Sequence, residues 1–260
     1  MPWQSTPAAG RVWTVAARQI ARVGDQVLRP AHWWTSTVHA LLEYLHGVGF
    51  DRVPKPIRLA EDQEVLSYIP GDSGSAGWSR VIPEQGLRAF ATLLREYHDA
   101  VRGFTPPADA SWALSYPVTG AEALVCHGDF GPWNVVWEGL TPVGLLDFDF
   151  AGPADPCYDV AYALEYVTPF RDDAQAKRWM AYPAPPDRRH RIEVFAEAYG
   201  LTDTDGLVDA VIDRQRLDGP HVVALATQGI EPQRSWLTDG VLDTLVERVR
   251  WSEQNRALFE

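Results

Sequence analysis

His127-Gly128-Asp129-Phe130-Gly131-Pro132-Trp133-Asn134, followed by Leu145-Leu146-Asp147-Phe148-Asp149, is the stretch on which the reading of this chain turns. An Asp and an Asn sit five residues apart on a loop rich in glycine and proline that opens a strand. A hairpin centred near Gly139 to Thr141 then returns the chain. Antiparallel register puts Asn134 roughly opposite Asp147, about 5 Å away at the backbone. Two oxygen-bearing side chains placed side by side suit a hard divalent cation. Mg²⁺ takes a few carboxylate or amide oxygens and completes its shell with substrate phosphates. Phosphoryl transfer also needs a group that orients the acceptor hydroxyl and takes its proton, and Asp129 lies on the same loop outside the metal pair. Taken singly, Asp129 and Asn134 read better as turn-capping residues; the constellation is what points to chemistry.

Working outward, the N-terminal quarter reads as strands. Val12 to Ile20 mixes β-branched and polar residues, and Ala21 to Val23, Gly24-Asp25 and Gln26 to Arg29 form a tight hairpin, so residues 11–29 make a small antiparallel sheet. Thr35 is placed to cap a helix whose Val38, Leu41, Leu42 and Leu45 share one face and which Gly47 and Gly49 end. Ile57 to Ala60 and Val65 to Ile69 form a second hairpin around Glu61-Asp62-Gln63, before the breaker Pro70-Gly71. From Pro83 the pattern becomes helical. Leu87, Phe90, Leu93, Leu94 and Tyr97 mark a helix over Pro83 to Val101, and amphipathic runs cover 187–199, 204–217 and 235–258. Short strands lie between them at Ala123 to Cys126, Val135 to Trp137 and Val143 to Leu146. The pattern predicts an α+β chain, with a β-rich lobe over residues 1–70 and a helix-rich lobe over 71–260.

Composition narrows the partners. A formal charge of −12 disfavours nucleic acid and leaves a cationic or neutral small molecule as the better partner. The two cysteines, Cys126 and Cys157, are too few for a disulfide framework or a zinc ligand set and read as buried thiols. Neither a secretory signal nor a run of roughly 18 apolar residues is present, so a cytoplasmic protein without a membrane partner is expected.

The string HGDFGPWN…LLDFDFAGPADPCYDVA resembles the signature of the aminoglycoside-phosphotransferase and choline-kinase-like enzymes, relatives of the protein kinases. The resemblance implies a protein-kinase-like two-lobed fold with a reduced N-terminal lobe. It also implies an antibiotic-resistance type of activity: a small-molecule kinase transferring the γ-phosphoryl group of ATP or GTP to a hydroxyl of an aminoglycoside-like antibiotic, another natural product or an amino alcohol. On the matching positions, Asp129 would be the catalytic base, Asn134 and Asp147 would hold Mg²⁺, Asp149 would assist there, and His127 would support the loop. Asp159 would brace the loop backbone. Independently, Asp155 reads as a helix N-cap, Pro156 as the first helical residue and Asp159 as a first-turn acid. His98 resembles a family position and reads equally as a satisfied core histidine.

The small lobe departs from the pattern: it has no G-x-G-x-x-G loop. Arg29 stands where the family's strand Lys is found and would contact nucleotide phosphates. The helical acid that pairs with this base is missing, since the stretch reads Thr37-Val38-His39-Ala40, so Arg29 is expected to matter for binding rather than folding. Leu66-Ser67-Tyr68-Ile69-Pro70-Gly71 resembles the hinge, whose main chain at Ser67, Tyr68 and Ile69 would meet the purine. The alternative expectation is a kinase-shaped immunity protein that sequesters a small molecule or peptide.

Overall fold

A computed structural model describes residues 14–15, 20–118 and 122–260. The tight turn after Val23 works because Gly24 adopts φ +61°. It joins β2 (Ile20–Val23) to β3 (Gln26–Pro30), with Val23 opposite Gln26. With β1 (Thr14–Val15), β4 (Pro56–Leu59) and β5 (Gln63–Ser67) they form an antiparallel sheet of order β1-β2-β3-β5-β4. Residues 11–13 and 16–19 of the expected first strand lie outside the described residues. The β3–β5 register sets Arg29 directly against Glu64.

Helix α1 (Thr35–Gly47) buries Val38, Leu41, Leu42 and Leu45 as its spacing predicts. Thr35, expected as its cap, is the first helical residue, and its hydroxyl accepts from the His32 N–H at 2.8 Å. The short α2 (Gly77–Arg80) leads to α3 (Glu84–Val101), whose buried face carries Leu87, Phe90, Leu93, Leu94, Tyr97 and His98. Two small ribbons follow. β6 (Leu124–Cys126) pairs with β9 (Gly152–Ala154), and β7 (Val135–Glu138) pairs with β8 (Thr141–Leu145). Because Val135 faces Leu145, Asn134 falls opposite Leu146, whose N–H donates to the Asn134 carbonyl at 2.7 Å. The expected pairing with Asp147 is therefore off by one residue, and Asp147 itself leaves the strand in a left-handed conformation, φ 63°.

The remaining helices are α4 (Cys157–Val167), α5 (Asp173–Trp179), α6 (Arg188–Tyr199), α7 (Leu207–Thr227), α8 (Gln233–Thr238) and α9 (Val241–Gln254). α7 continues ten residues past the expected end at 217, through Pro220. It packs against α4, α8 and α9, and tertiary packing outweighs the lost hydrogen bond. The expected run 235–258 is instead broken at Gly240, whose φ of 79° ends one helix and starts another. Cys126 is buried, but Cys157 is exposed at the solvent-facing start of α4, contrary to expectation. That helix begins with Pro156 at the cap position rather than Asp155. The main apolar core runs from Trp34 through α3, the ribbons and α4 to Phe259 and joins the two lobes, and a smaller cluster of Ala176, Met180 and Tyr182 packs against Trp78 and Tyr166. No helix of the described residues is long and apolar enough to cross a membrane.

Candidate active site

The loop between β6 and β7 is fixed from below. Asp159, fully buried on the first turn of α4, accepts from the backbone N–H of His127 at 2.6 Å and of Gly128 at 2.9 Å. His98 of α3 adds a third bond at 3.1 Å and is itself held by the Tyr199 hydroxyl at 2.7 Å. Burial alone would raise the Asp159 pKa, but His98, His127 and the loop amide outweigh it and hold the carboxylate below its ordinary value. His98, Cys126 and Asp159 lie within 4.8 Å of one another, and both nitrogens of His98 are already engaged in this brace. Both readings of His98 and Asp159 thus merge: they are core residues whose task is to hold the loop.

His127 ties the loop to the strand that precedes Asp147. Its Nε2 donates to the Leu146 carbonyl at 2.9 Å, and its Nδ1 accepts from the Asp129 N–H at 3.2 Å. That pair of roles requires the neutral imidazole, and burial holds the His127 pKa below normal.

Asp129 is half-buried, and both of its carboxylate oxygens are oriented. Asn134 Nδ2 donates to Oδ2 at 2.9 Å and to the Asp129 carbonyl at 2.9 Å, while the Tyr162 hydroxyl donates to Oδ1. Burial is the main influence on its pKa, opposed by the Tyr162 bond and reinforced by the Asp147 charge, and the carboxyl is pushed up to about 7. Asn134 uses its NH₂ entirely on Asp129, which leaves its amide oxygen as the atom for a cation.

Arg29 gathers the acids of the cleft. Its Nε contacts Glu64 at 2.8 Å, its Nη1 contacts Asp147 at 3.2 Å and its Nη2 bonds Asp149. Burial pulls the guanidinium pKa down, but Asp149, Asp147 and Glu64 outweigh it and hold it above the usual value. The missing helical acid is replaced from the neighbouring strand: Glu64 is buried and is shared with His39 of α1, whose Nε2 lies 2.7 Å from Oε2. The partner that the helix lacks thus comes from β5, and Arg29 is tied into an ion-pair network with Glu64, Asp147 and Asp149. Asp149, expected to assist at a metal, is engaged by Arg29 and by the indole N–H of buried Trp34 at 3.2 Å.

In the hinge, Ser67 and Tyr68 donate their N–H groups to the Lys55 and Asp25 carbonyls, each at 2.9 Å. Ile69 packs over Gly144 of β8, where a side chain would collide with it.

Glu64, His39, Trp34 and Tyr162 were not read from the sequence. Tyr162 had a signal, since it follows Asp159 by three residues on one helix and so shares its loop-facing side. Glu64 had none, because β3 and β5 are not consecutive and their register is not legible locally.

This two-lobed α+β fold, with an oriented carboxyl, an amide and a strand-end Asp on neighbouring segments, is of the protein-kinase-like class. The sequence profile of the phosphotransferase enzyme family matches residues 107–194. The trifolitoxin immunity protein of Rhizobium leguminosarum bv. trifolii is 32% identical over 201 residues, covering 74% of this chain and 75% of that protein. Among solved structures, the GDP complex of aminoglycoside 2'-phosphotransferase-IIIa superposes with a TM-score of 0.62 at 15% identity, over 92% of each chain. A choline/ethanolamine kinase family protein from Mesorhizobium loti gives 0.57 at 13% identity, over 95% of this chain and 93% of that one. The chain belongs to the phosphotransferase enzyme family.

Proposed function

We propose that the protein is a small-molecule kinase moving the γ-phosphoryl group of ATP or GTP to a hydroxyl. An aminoglycoside-like antibiotic, another natural product or an amino alcohol is the class of acceptor. The observation that carries this reading is Asp129: a carboxyl pushed to about 7, fixed on both oxygens by Tyr162 and Asn134, and within electrostatic reach of Asp147. A general base works best when poised near the working pH. Asp129 takes the proton of the acceptor hydroxyl as that oxygen bonds to the γ-phosphorus. The bond from phosphorus to the β–γ bridging oxygen breaks, and the nucleoside diphosphate leaves.

The donor set fits Mg²⁺. The Asn134 amide oxygen and the Asp147 carboxylate are hard ligands, and Asp147 already draws a cation, Arg29. Bound there, Mg²⁺ would neutralise phosphate charge. Arg29, released from Asp147, would pair with phosphate oxygens, and the main chain of Ser67, Tyr68 and Ile69 would border the base. We read residues 1–70 as the nucleotide lobe and 71–260 as the catalytic and acceptor lobe, in a cytoplasmic setting where nucleotide and Mg²⁺ are supplied.

The likeness to an immunity protein favours a second reading, in which the cleft sequesters a small molecule or peptide with little turnover. The two readings separate on Mg²⁺-dependent turnover by the pure protein. The kinase reading expects nucleotide consumption that Asp129→Asn abolishes while calorimetry shows unchanged Mg²⁺–nucleotide binding. Turnover of the variant within a few-fold of wild type would remove Asp129 as base. No turnover by the wild type with any acceptor class, alongside tight ligand binding, would favour sequestration.

A further inference from the structure

Next to the Asp129 carboxylate stands a continuous aromatic wall. Trp133, on the catalytic loop itself, has its ring centre 4.7 Å from Tyr166, 5.0 Å from Trp78 and 6.3 Å from Tyr162. Tyr162 and Tyr166 are 5.3 Å apart, and Trp78 closes the cluster at 6.0 Å from Tyr166. The fold builds this wall deliberately. Gly77 lets the backbone of α2 press on the Pro132 carbonyl, where any side chain would collide, and so delivers Trp78 to the loop. Trp78, Trp133 and Tyr166 are half-buried, and Trp78 and Tyr166 pack against buried Ala176, Met180 and Tyr182.

Guanidiniums stand behind the wall. Arg214 lies 4.1 Å over the Tyr162 ring and Arg171 lies 5.2 Å over Tyr166. With Arg248 they converge on the buried carboxylate of Glu165, and Arg214 and Arg248 also share Asp218. Three guanidiniums face three carboxylates, Glu165, Asp218 and, across Tyr162, Asp129, so every acid at the wall is matched by a cation. The Nε atoms of all three arginines are buried without a protein partner. A polycation arriving here meets ring faces already occupied by cations and no surplus of acid. A planar, electron-rich or anionic ring meets stacking partners and guanidinium charge.

Resting on the phosphotransferase reading, we propose that the acceptor site is this wall of Trp78, Trp133, Tyr162 and Tyr166, and that its acceptor is a hydroxylated molecule with an aromatic or conjugated planar face and no net positive charge. The overall charge of −12 pointed the other way, toward a cationic acceptor; the local count overrides it because exposed charges beyond a Debye length of about 8 Å are largely screened.

The test uses the full chain with Mg²⁺ and ADP or GDP, and saturation-transfer NMR with three probes: para-methoxybenzyl alcohol, para-hydroxymethyl benzoate and kanamycin. Both ring compounds are expected to bind and kanamycin not. Trp133→Leu and Trp78→Leu should each weaken ring binding about tenfold, while Trp133→Phe restores most of it. Circular dichroism melts identify variants that fail to fold, and Trp78→Leu, at the rim, serves if Trp133→Leu does. Kanamycin binding in place of the rings, ring binding unaffected by either leucine variant, or no binding of either ring compound would overturn the inference. Ring binding of the expected kind without phosphoryl transfer from Mg²⁺–nucleotide to any hydroxyl would leave the site standing and remove the kinase reading instead.

Discussion

Burial raises the Asp129 pKa, helped by the Asp147 charge, and the Tyr162 hydroxyl is the largest of the influences that pull it back toward about 7, ahead of Asn134 and Arg214. A base in that position is protonated and idle below about 7 and active above. Turnover at saturating substrates should therefore rise with pH through neutrality. Tyr162→Phe removes a lowering influence and should move that limb to higher pH; a limb that stays in place, or moves down, would show that another group sets the profile. Glu64 offers a second test. Arg29 is steered by Glu64 at 2.8 Å, and Glu64 is in turn held by His39. Glu64→Gln keeps the shape and removes the charge, and loss of a charged hydrogen bond, roughly 1.5–3 kcal/mol, is expected to weaken Mg²⁺–nucleotide affinity by about tenfold or more. Unchanged affinity by calorimetry would mean that Asp147 and Asp149 alone position Arg29. The loop residues Asp129, Asn134 and Asp147 were legible in the sequence because they are close along the chain. Glu64 and Trp34 were not, because their partners arrive from elsewhere in the fold.

Helix α4 joins structure to chemistry. Its first turn supplies Asp159 beneath the loop, its second Tyr162 against Asp129, and its next Glu165 and Tyr166. Asp159→Ala strips an acceptor from two loop amides and from His98 at once. Breaking a buried charged network typically costs about 3–5 kcal/mol, so denaturant midpoints should fall well below wild type. The charge also carries a pH dependence. The folded pKa of Asp159 is depressed, so its stabilisation is complete above the unfolded value of about 3.9 and is lost as the pH falls through the folded value. Wild type should lose stability in that acid window, whereas the variant should show a shallower acid limb there. Parallel limbs would assign acid sensitivity to other carboxylates. Periodicity made α1 and α3 legible through the apolar stripe each buries, and placed α6 although the buried side of that helix also carries Arg188 and Arg191. It failed at α7, where Pro220 sits inside a helix held by its neighbours, and at Gly240, where an amphipathic run conceals a break. The ribbon partner β9 was unreadable for a similar reason: Gly152–Ala154 is only three residues long and its strand identity comes from pairing with β6.

At the cleft, polar contacts between the lobes run from Arg29 to Asp147 and Asp149 and from Trp34 to Asp149. One guanidinium thus serves Asp147, Asp149 and Glu64 together, and a nucleotide entering alone would set its phosphates against Asp147 and compete with that carboxylate for Arg29. A nucleotide arriving with Mg²⁺ offers Asp147 a cation in exchange, so Arg29 can turn to the phosphates without leaving an acid unpaired. Metal and nucleotide should therefore bind interdependently. A ligand at about 100 times its dissociation constant stabilises the folded state by roughly 2.7 kcal/mol. For a chain of this size each kcal/mol moves the melting temperature by about 2–4 °C, so Mg²⁺–nucleotide should raise it by roughly 5–10 °C. Nucleotide with EDTA, or Mg²⁺ alone, should give a small fraction of that rise. In Asp147→Ala the exchange has no acid to serve, and the Mg²⁺-dependent part of the shift should disappear even where some nucleotide binding survives. An equal shift with and without EDTA in the wild type would show that Asp147 does not hold a metal, and that Arg29 alone answers for the phosphates.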